Sequence, residues 1–172
     1  MNLLCSAMPL IRVWFYDPRD DPDGWINHLV RRCDGPYCHC ELEIVSENSY
    51  CIYMGTNVMR KQRAYSKPPY TCVDIFCTVS QLQRCRDFAE LQVHNQIAFS
   101  TTAFVMSIVP VLAYWGSGTF CSKLCADILA AGNLLACKQR TRDKITPSAL
   151  HRMLQPTAIS QPKGPLIPID FI

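Results

Sequence analysis

A chain of 172 residues, 49% hydrophobic and 18% charged, supports one domain with a sizeable core and leaves too little for a comfortable second one. The composition excludes an intrinsically disordered chain. A formal charge of +3 without a concentrated basic stripe argues against a dedicated nucleic-acid binder. Eleven cysteines raise the question of compartment. Met1 to Leu10 has no basic residue ahead of its apolar stretch, so it reads poorly as an export signal. The thiols are therefore expected to be reduced and mostly buried as small hydrophobes, in a cytoplasmic or nuclear setting and not a secreted one.

In chain order, Pro9 to Tyr16 is rich in β-formers and predicts a first strand. Turn residues follow, and Trp25, Ile26, Leu29 and Val30 recur at helical spacing, predicting a helix from Pro22 to Arg32 that Asp34-Gly35-Pro36 stops. Tyr37 to Val45 alternates as a strand does: His39, Glu41, Glu43 and Val45 share one face, Cys38, Cys40, Leu42 and Ile44 the other. A turn at Ser46 to Ser49 returns the chain as a strand over Tyr50 to Met54, and Tyr70 to Phe76 predicts another. Ser80 and Gln83 have capping-box spacing at the start of a helix ending near His94.

From Gln96 to Ser122 there is no charged residue, and Ile97 to Trp115 is largely apolar. Its length would span a bilayer. Ser100, Thr101, Thr102, Ser107 and Pro110 interrupt it, however, and no basic cluster flanks it. The preferred reading is a buried helix with an apolar loop, or a surface that touches lipid. After Gly116 to Thr119, a helix is predicted over Cys121 to Ala131 with Gly132 at its end, and Thr146-Pro147 opens a last short helix ahead of an extended tail. The division is a domain over 1–155 and a tail over 156–172.

Among the cysteines, Cys121 stands out. A thiol in the first turn of a helix gains from unpaired N–H groups and the positive dipole end, which favour the thiolate nucleophile. The backbone N–H of Ser122 belongs to the set that would later hold an oxyanion. The competing reading makes Cys121 one more member of the apolar face with Leu124 and Cys125. His39 is the natural proton acceptor; its competing reading is a solvated strand face carrying His, Glu and Glu. Cys33, Cys38, His39 and Cys40 invite a zinc reading, but neighbouring strand residues point to opposite faces, so no metal is expected. No phosphate loop and no G-x-S-x-G elbow is present.

The segments DGPYCHCELEIV, SYCIYMG, PYTCVDI, GTFCSKLCADILAAG and ITPSALHRML together resemble the circularly permuted NlpC-type papain-like hydrolases, among them the lecithin:retinol acyltransferase-like group and members carried by large DNA viruses. The resemblance covers roughly residues 10–155, in family order. It implies an α+β papain-like fold with a small antiparallel sheet packed on the nucleophile helix. It also implies Cys121 as nucleophile, His39 as base, and acyl transfer without a cofactor on a peptide, isopeptide, ester or lipid acyl substrate. The family's third polar residue lies on the next strand. With Glu47-Asn48 as hairpin tip it falls on Thr56, with Asn57 or Glu41 as substitutes, while direct counting lands on Met54. Lys123 stands where the family has an acidic residue, and would favour a thiolate. Family members acting on lipids make Phe99, Phe104, Val105 and Met106 the candidates for membrane or substrate contact. A catalytically inactive interaction or virion module is the alternative outside enzymology.

Overall fold

The computed structural model of the chain describes residues 8–20, 24–45, 48–65, 69–108 and 118–159. Strand β1 (Leu10–Tyr16) sets the centre of the fold. Ile11, Val13 and Phe15 are wholly buried on one face, while Arg12, Trp14 and Tyr16 occupy the other, as a two-residue period requires. β1 pairs antiparallel with β2 (His39–Val45) on one side and with β5 (Tyr70–Phe76) on the other. Beyond β2 lie β3 (Asn48–Cys51) and the exposed edge strand β4 (Met59–Gln62), giving the order β4-β3-β2-β1-β5. The α+β class with a small antiparallel sheet is thus observed, with β4 added to the predicted strands. Its sequence, Met-Arg-Lys-Gln, lacks the β-branched and aromatic signature because an edge strand buries little.

Helices cover one face of the sheet. α1 (Trp25–Asp34) buries Val30 but leaves Trp25 and Leu29 exposed, so the predicted apolar stripe is only partly used; Pro22 and Asp23 lie outside the described residues. α2 (Val79–His94) is capped by Thr78 and Gln81 in a reciprocal capping box, two residues ahead of the predicted Ser80 pair. α3 (Thr101–Ile108) is eight residues long, and no helix among the described residues is long and apolar enough to cross a membrane. Residues 109–117 lie outside the described set. α4 (Cys121–Ala131) has the predicted bounds. Its following glycine, Gly132, is not in the left-handed region; glycine is needed there because a Cβ would run into Cys85 Sγ. The four-residue α5 (Gln139–Arg142) was not legible. α6 (Pro147–Ile159) runs past Gln155 and through Pro156, where an extended tail is expected; a proline near a helix end forgoes one hydrogen bond without stopping the helix. Residues 160–172 of the expected tail lie outside the described residues.

The core is a continuous layer between sheet and helices. Leu42, Ile52, Leu124, Ile128, Leu129, Leu150 and Leu154 are all wholly or almost wholly buried there. Each such side chain contributes about 1.5–3 kcal/mol on burial. α4 packs on β2 and α2, and α6 on β5 and α4. Asp34 ties the ends of α1 and α6 together: it accepts from Thr146 Oγ1 at 2.5 Å and from the Ser148 N–H at 3.2 Å. The opposite sheet face is polar on β2 yet covered. The chain at Arg63–Tyr65 folds across it, with Tyr65 stacked on Trp14 at 4.4 Å between ring centroids.

Candidate active site

Cys121 is the first residue of α4. Phe120 occupies the capping position in extended backbone, and no side chain caps the helix. A serine or threonine there would add about 1 kcal/mol. The uncapped end instead leaves first-turn N–H groups for an anion at the Cys121 sulfur. Phe120 is fully buried against Phe104 and anchors the helix start. Ser122 adds a second anchor: its hydroxyl donates to the Ile145 carbonyl at 2.6 Å. Three residues ahead of Cys121, Gly118 has φ +141°, and a Cβ there would collide with the Ser100 side chain. Backbone from Ser100 to Thr119 locks this approach at 2.8 Å.

The start of β2 meets this helix end. Cys40 turns into the core and His39 to the other face, and Cys121 interacts with both. Cys121 and His39 also line one cavity of about 190 Å³, walled by Tyr16, Ile26, Tyr53, Phe99 and Phe104. The Cys121 thiol is held well below its ordinary pKa: the neighbouring Cys40 side chain favours the anion most, burial opposes it, and the charge of His39 favours it further. His39 is raised from 6.5 to about 10. Burial works against its charged form, but the Cys121 thiolate and then Glu41 outweigh it. Both directions favour a thiolate–imidazolium pair over two neutral groups.

The third position differs from the expectation. Between Glu43 and Val45 the ladder shifts register, pairing Leu42 with Tyr50 and Val45 with Asn48. Val45 thus faces Asn48, where a Glu47-Asn48 tip would set 46 opposite 49, and the bulge moves the pairing by one further position. Continued to the strand ends, this register sets Tyr53 opposite His39, and the two rings stack at 4.8 Å. Thr56 lies elsewhere: its hydroxyl donates to the Tyr53 carbonyl and accepts from the Tyr53 N–H, closing the turn after β3. Asn57 is exposed and bridges to Ala98. Met54 is exposed at the cavity rim.

The carboxylate beside the imidazole is Glu41, two residues along β2 on the same face. Its Oε1 is 3.3 Å from His39 Nε2, in ion-pair contact but not an aligned hydrogen bond. Glu41 is fully buried. Burial alone would raise its pKa, but His39, Tyr53 and Tyr65 together hold it below the usual value. It accepts from Tyr53 Oη at 2.5 Å, Tyr65 Oη at 2.8 Å and Arg63 Nη1 at 2.7 Å. Arg63 also reaches Tyr53 Oη, and Tyr65 Oη meets Ser49 Oγ. A solvated His-Glu-Glu face is therefore not what the chain builds. Glu43 is also buried and accepts from the Trp14 indole at 2.7 Å.

Lys123 does not serve the thiolate as expected. Its ammonium pairs with Asp127 at 2.9 Å and Asp143 at 3.0 Å, so two carboxylates take up its charge. Phe104 is buried, packs against Phe99 and Phe120, and lines the cavity; Val105 is the exposed neighbour, and Met106 is intermediate. Of the proposed zinc ligands, Cys38 Sγ turns to the Tyr16 carbonyl, Cys40 Sγ to Cys125, and Cys33 is exposed. Among the described residues no three His, Cys, Asp or Glu side chains are placed to hold a metal ion. Tyr53, Arg63 and Tyr65 escaped the sequence reading. Tyr53 was reachable only through the bulged register, and Arg63 and Tyr65 carry no local pattern that points at His39. Compared with protein-family models, with curated proteins and with solved structures, the chain matches none.

Proposed function

We propose that the chain is a cysteine hydrolase or acyltransferase of papain-like, permuted NlpC type that works through a thioester at Cys121. One observation carries this reading: a depressed thiol at an uncapped helix start shares a cavity with an imidazole that holds its proton. The Cys121 thiolate attacks an acyl carbonyl, and the oxyanion takes N–H groups of the first turn, including that of Ser122. His39, protonated, gives its proton to the leaving amine or alcohol and then deprotonates water or another acceptor. Glu41 keeps the imidazole oriented and favours its charged form.

Amide, isopeptide and ester carbonyls all suit this chemistry, and the reading includes no cofactor. The apolar and aromatic cavity wall favours an acyl partner without charge, including a lipid acyl group presented at a membrane surface. In the test, a thiol-directed electrophile labels Cys121 faster than the other ten cysteines, and His39→Ala slows that labelling. Uniform labelling across the chain would favour the catalytically inactive interaction module instead.

A further inference from the structure

Beneath the nucleophile lies a thiol that acyl transfer does not consume. Cys40 is buried at the start of β2, where that strand packs on α4, with its Sγ 3.7 Å from Cys125 Sγ one helical turn from Cys121, and it is near enough to Cys121 to help hold that thiol down. Cys121 borders the cavity and Cys40 does not, so a small reagent entering there meets Cys121 first. Cys125 sits one helical turn further along α4 than Cys121. Side chains so spaced have Cβ atoms about 5–6 Å apart, beyond the roughly 3.5–4.5 Å a disulfide spans. Cys40, arriving from the sheet, has no such restriction.

We propose that Cys40 is a resolving thiol, which captures Cys121 after oxidation by a hydroperoxide and stores the pair as a reversible Cys40–Cys121 disulfide. The Cys121 thiolate attacks the distal peroxide oxygen. The O–O bond breaks, the alcohol or water leaves with a proton from His39, and Cys121 becomes a sulfenic acid. Cys40 sulfur then attacks the Cys121 sulfur and the S–O bond breaks. The hydroxyl leaves as water with the Cys40 proton. Overall, two thiols give two electrons to one hydroperoxide, yielding a disulfide, an alcohol and water. The inference rests on Cys121 being the thiolate of the proposed function. The contrast between the two groups fits their roles: Cys121 is held ionised, whereas burial first, and then the neighbouring Cys121 and Cys125, hold Cys40 protonated. The disulfide shields the nucleophile from irreversible sulfinic acid and switches off acyl transfer until a thiol reductant restores it.

Trypsin makes the test direct, because Lys123 separates Cys121, alone in peptide 87–123, from Cys125 in peptide 124–138, while Cys40 lies in peptide 33–60. The full chain is treated with one equivalent of hydrogen peroxide, blocked with N-ethylmaleimide in acid, and digested without reductant. The expected product is 33–60 joined to 87–123 through Cys40, with loss of electrophile labelling at Cys121 that dithiothreitol reverses. Cys40→Ser should replace the linked peptide by Cys121 sulfenic and sulfinic acid, and Cys125→Ser should leave the link intact. The wild-type digest decides even where a core variant fails to fold. Unchanged Cys121, sulfinic acid without the linked peptide, or a link through any other cysteine overturns the proposal. Labelling of untreated protein reports separately on the nucleophile, so that reading can stand while the disulfide fails.

Discussion

Glu41→Gln isolates one charge in the site while keeping side-chain volume and one acceptor oxygen. Removing an opposite charge at 3.3 Å from His39 Nε2 lowers the imidazole pKa by about 1–3 units. That is about 1.4–4 kcal/mol of lost support for the imidazolium. The thiolate is paired with that imidazolium, so the Cys121 pKa must rise in response. The assay is the pH dependence of electrophile labelling at Cys121, read on peptide 87–123. In the wild type the labelling midpoint lies well below 9, the ordinary thiol value; in Glu41→Gln it moves up by a measurable fraction of a unit or more. Stability should fall as well, because Arg63 loses its buried anion. The loss stays under the roughly 3–5 kcal/mol typical of a broken buried pair, since Arg63 is 28% exposed and can turn to water. An unchanged midpoint in a folded variant would show that Glu41 supports the Arg63–Tyr65 cover and not the imidazole.

Two further outcomes follow from the same geometry. His39 is raised to about 10 and Cys121 is depressed, so their effects on unfolding oppose one another. Below about 6.5 the unfolded chain keeps both protons and the native pair only one, so stability climbs with pH by up to about 1.4 kcal/mol per unit. From there to about 9 the unfolded imidazole has lost its proton and the two states balance; above 9 the unfolded chain has lost both, and stability declines through about 10. Urea titrations of wild type minus the Cys121→Ala, His39→Gln double variant should show this plateau, and a featureless difference would refute the ion pair. Gly118→Ala should cost more than Gly55→Ala in the same titration. Both glycines have positive φ, but only at 118 would the new Cβ also strike a side chain, Ser100. The shared strain is about 1 kcal/mol, and equal losses would mean that Ser100 yields freely.

Periodicity recovered what depends on burial of one face. β1, β2, β5 and the bounds of α4 follow from alternation or helical spacing, because those elements face the core. β4 and α5 bury too little side chain to leave such a mark. Cys121 and His39 stand out in the sequence, one from its place at a helix start and one from its strand, and the fold brings them to one cavity although some eighty residues separate them. The third partner was missed for a different reason. Pairing of Val45 with Asn48 moves the residue facing His39 two positions from the expected Thr56, the single-residue register shift after Glu43 moves it one more, to Tyr53, and no pattern within the hairpin announces a bulge. The same shift explains why Glu41 can remain ionised in a covered site: it brings Tyr53 over the imidazole with its hydroxyl on the carboxylate, while Arg63 and Tyr65 close the remaining sides. A buried carboxylate without those donors would take up a proton and cease to favour the imidazolium. Under the proposed function the reactivity of Cys121 therefore depends on residues 63 and 65, which do not line the cavity that holds its sulfur.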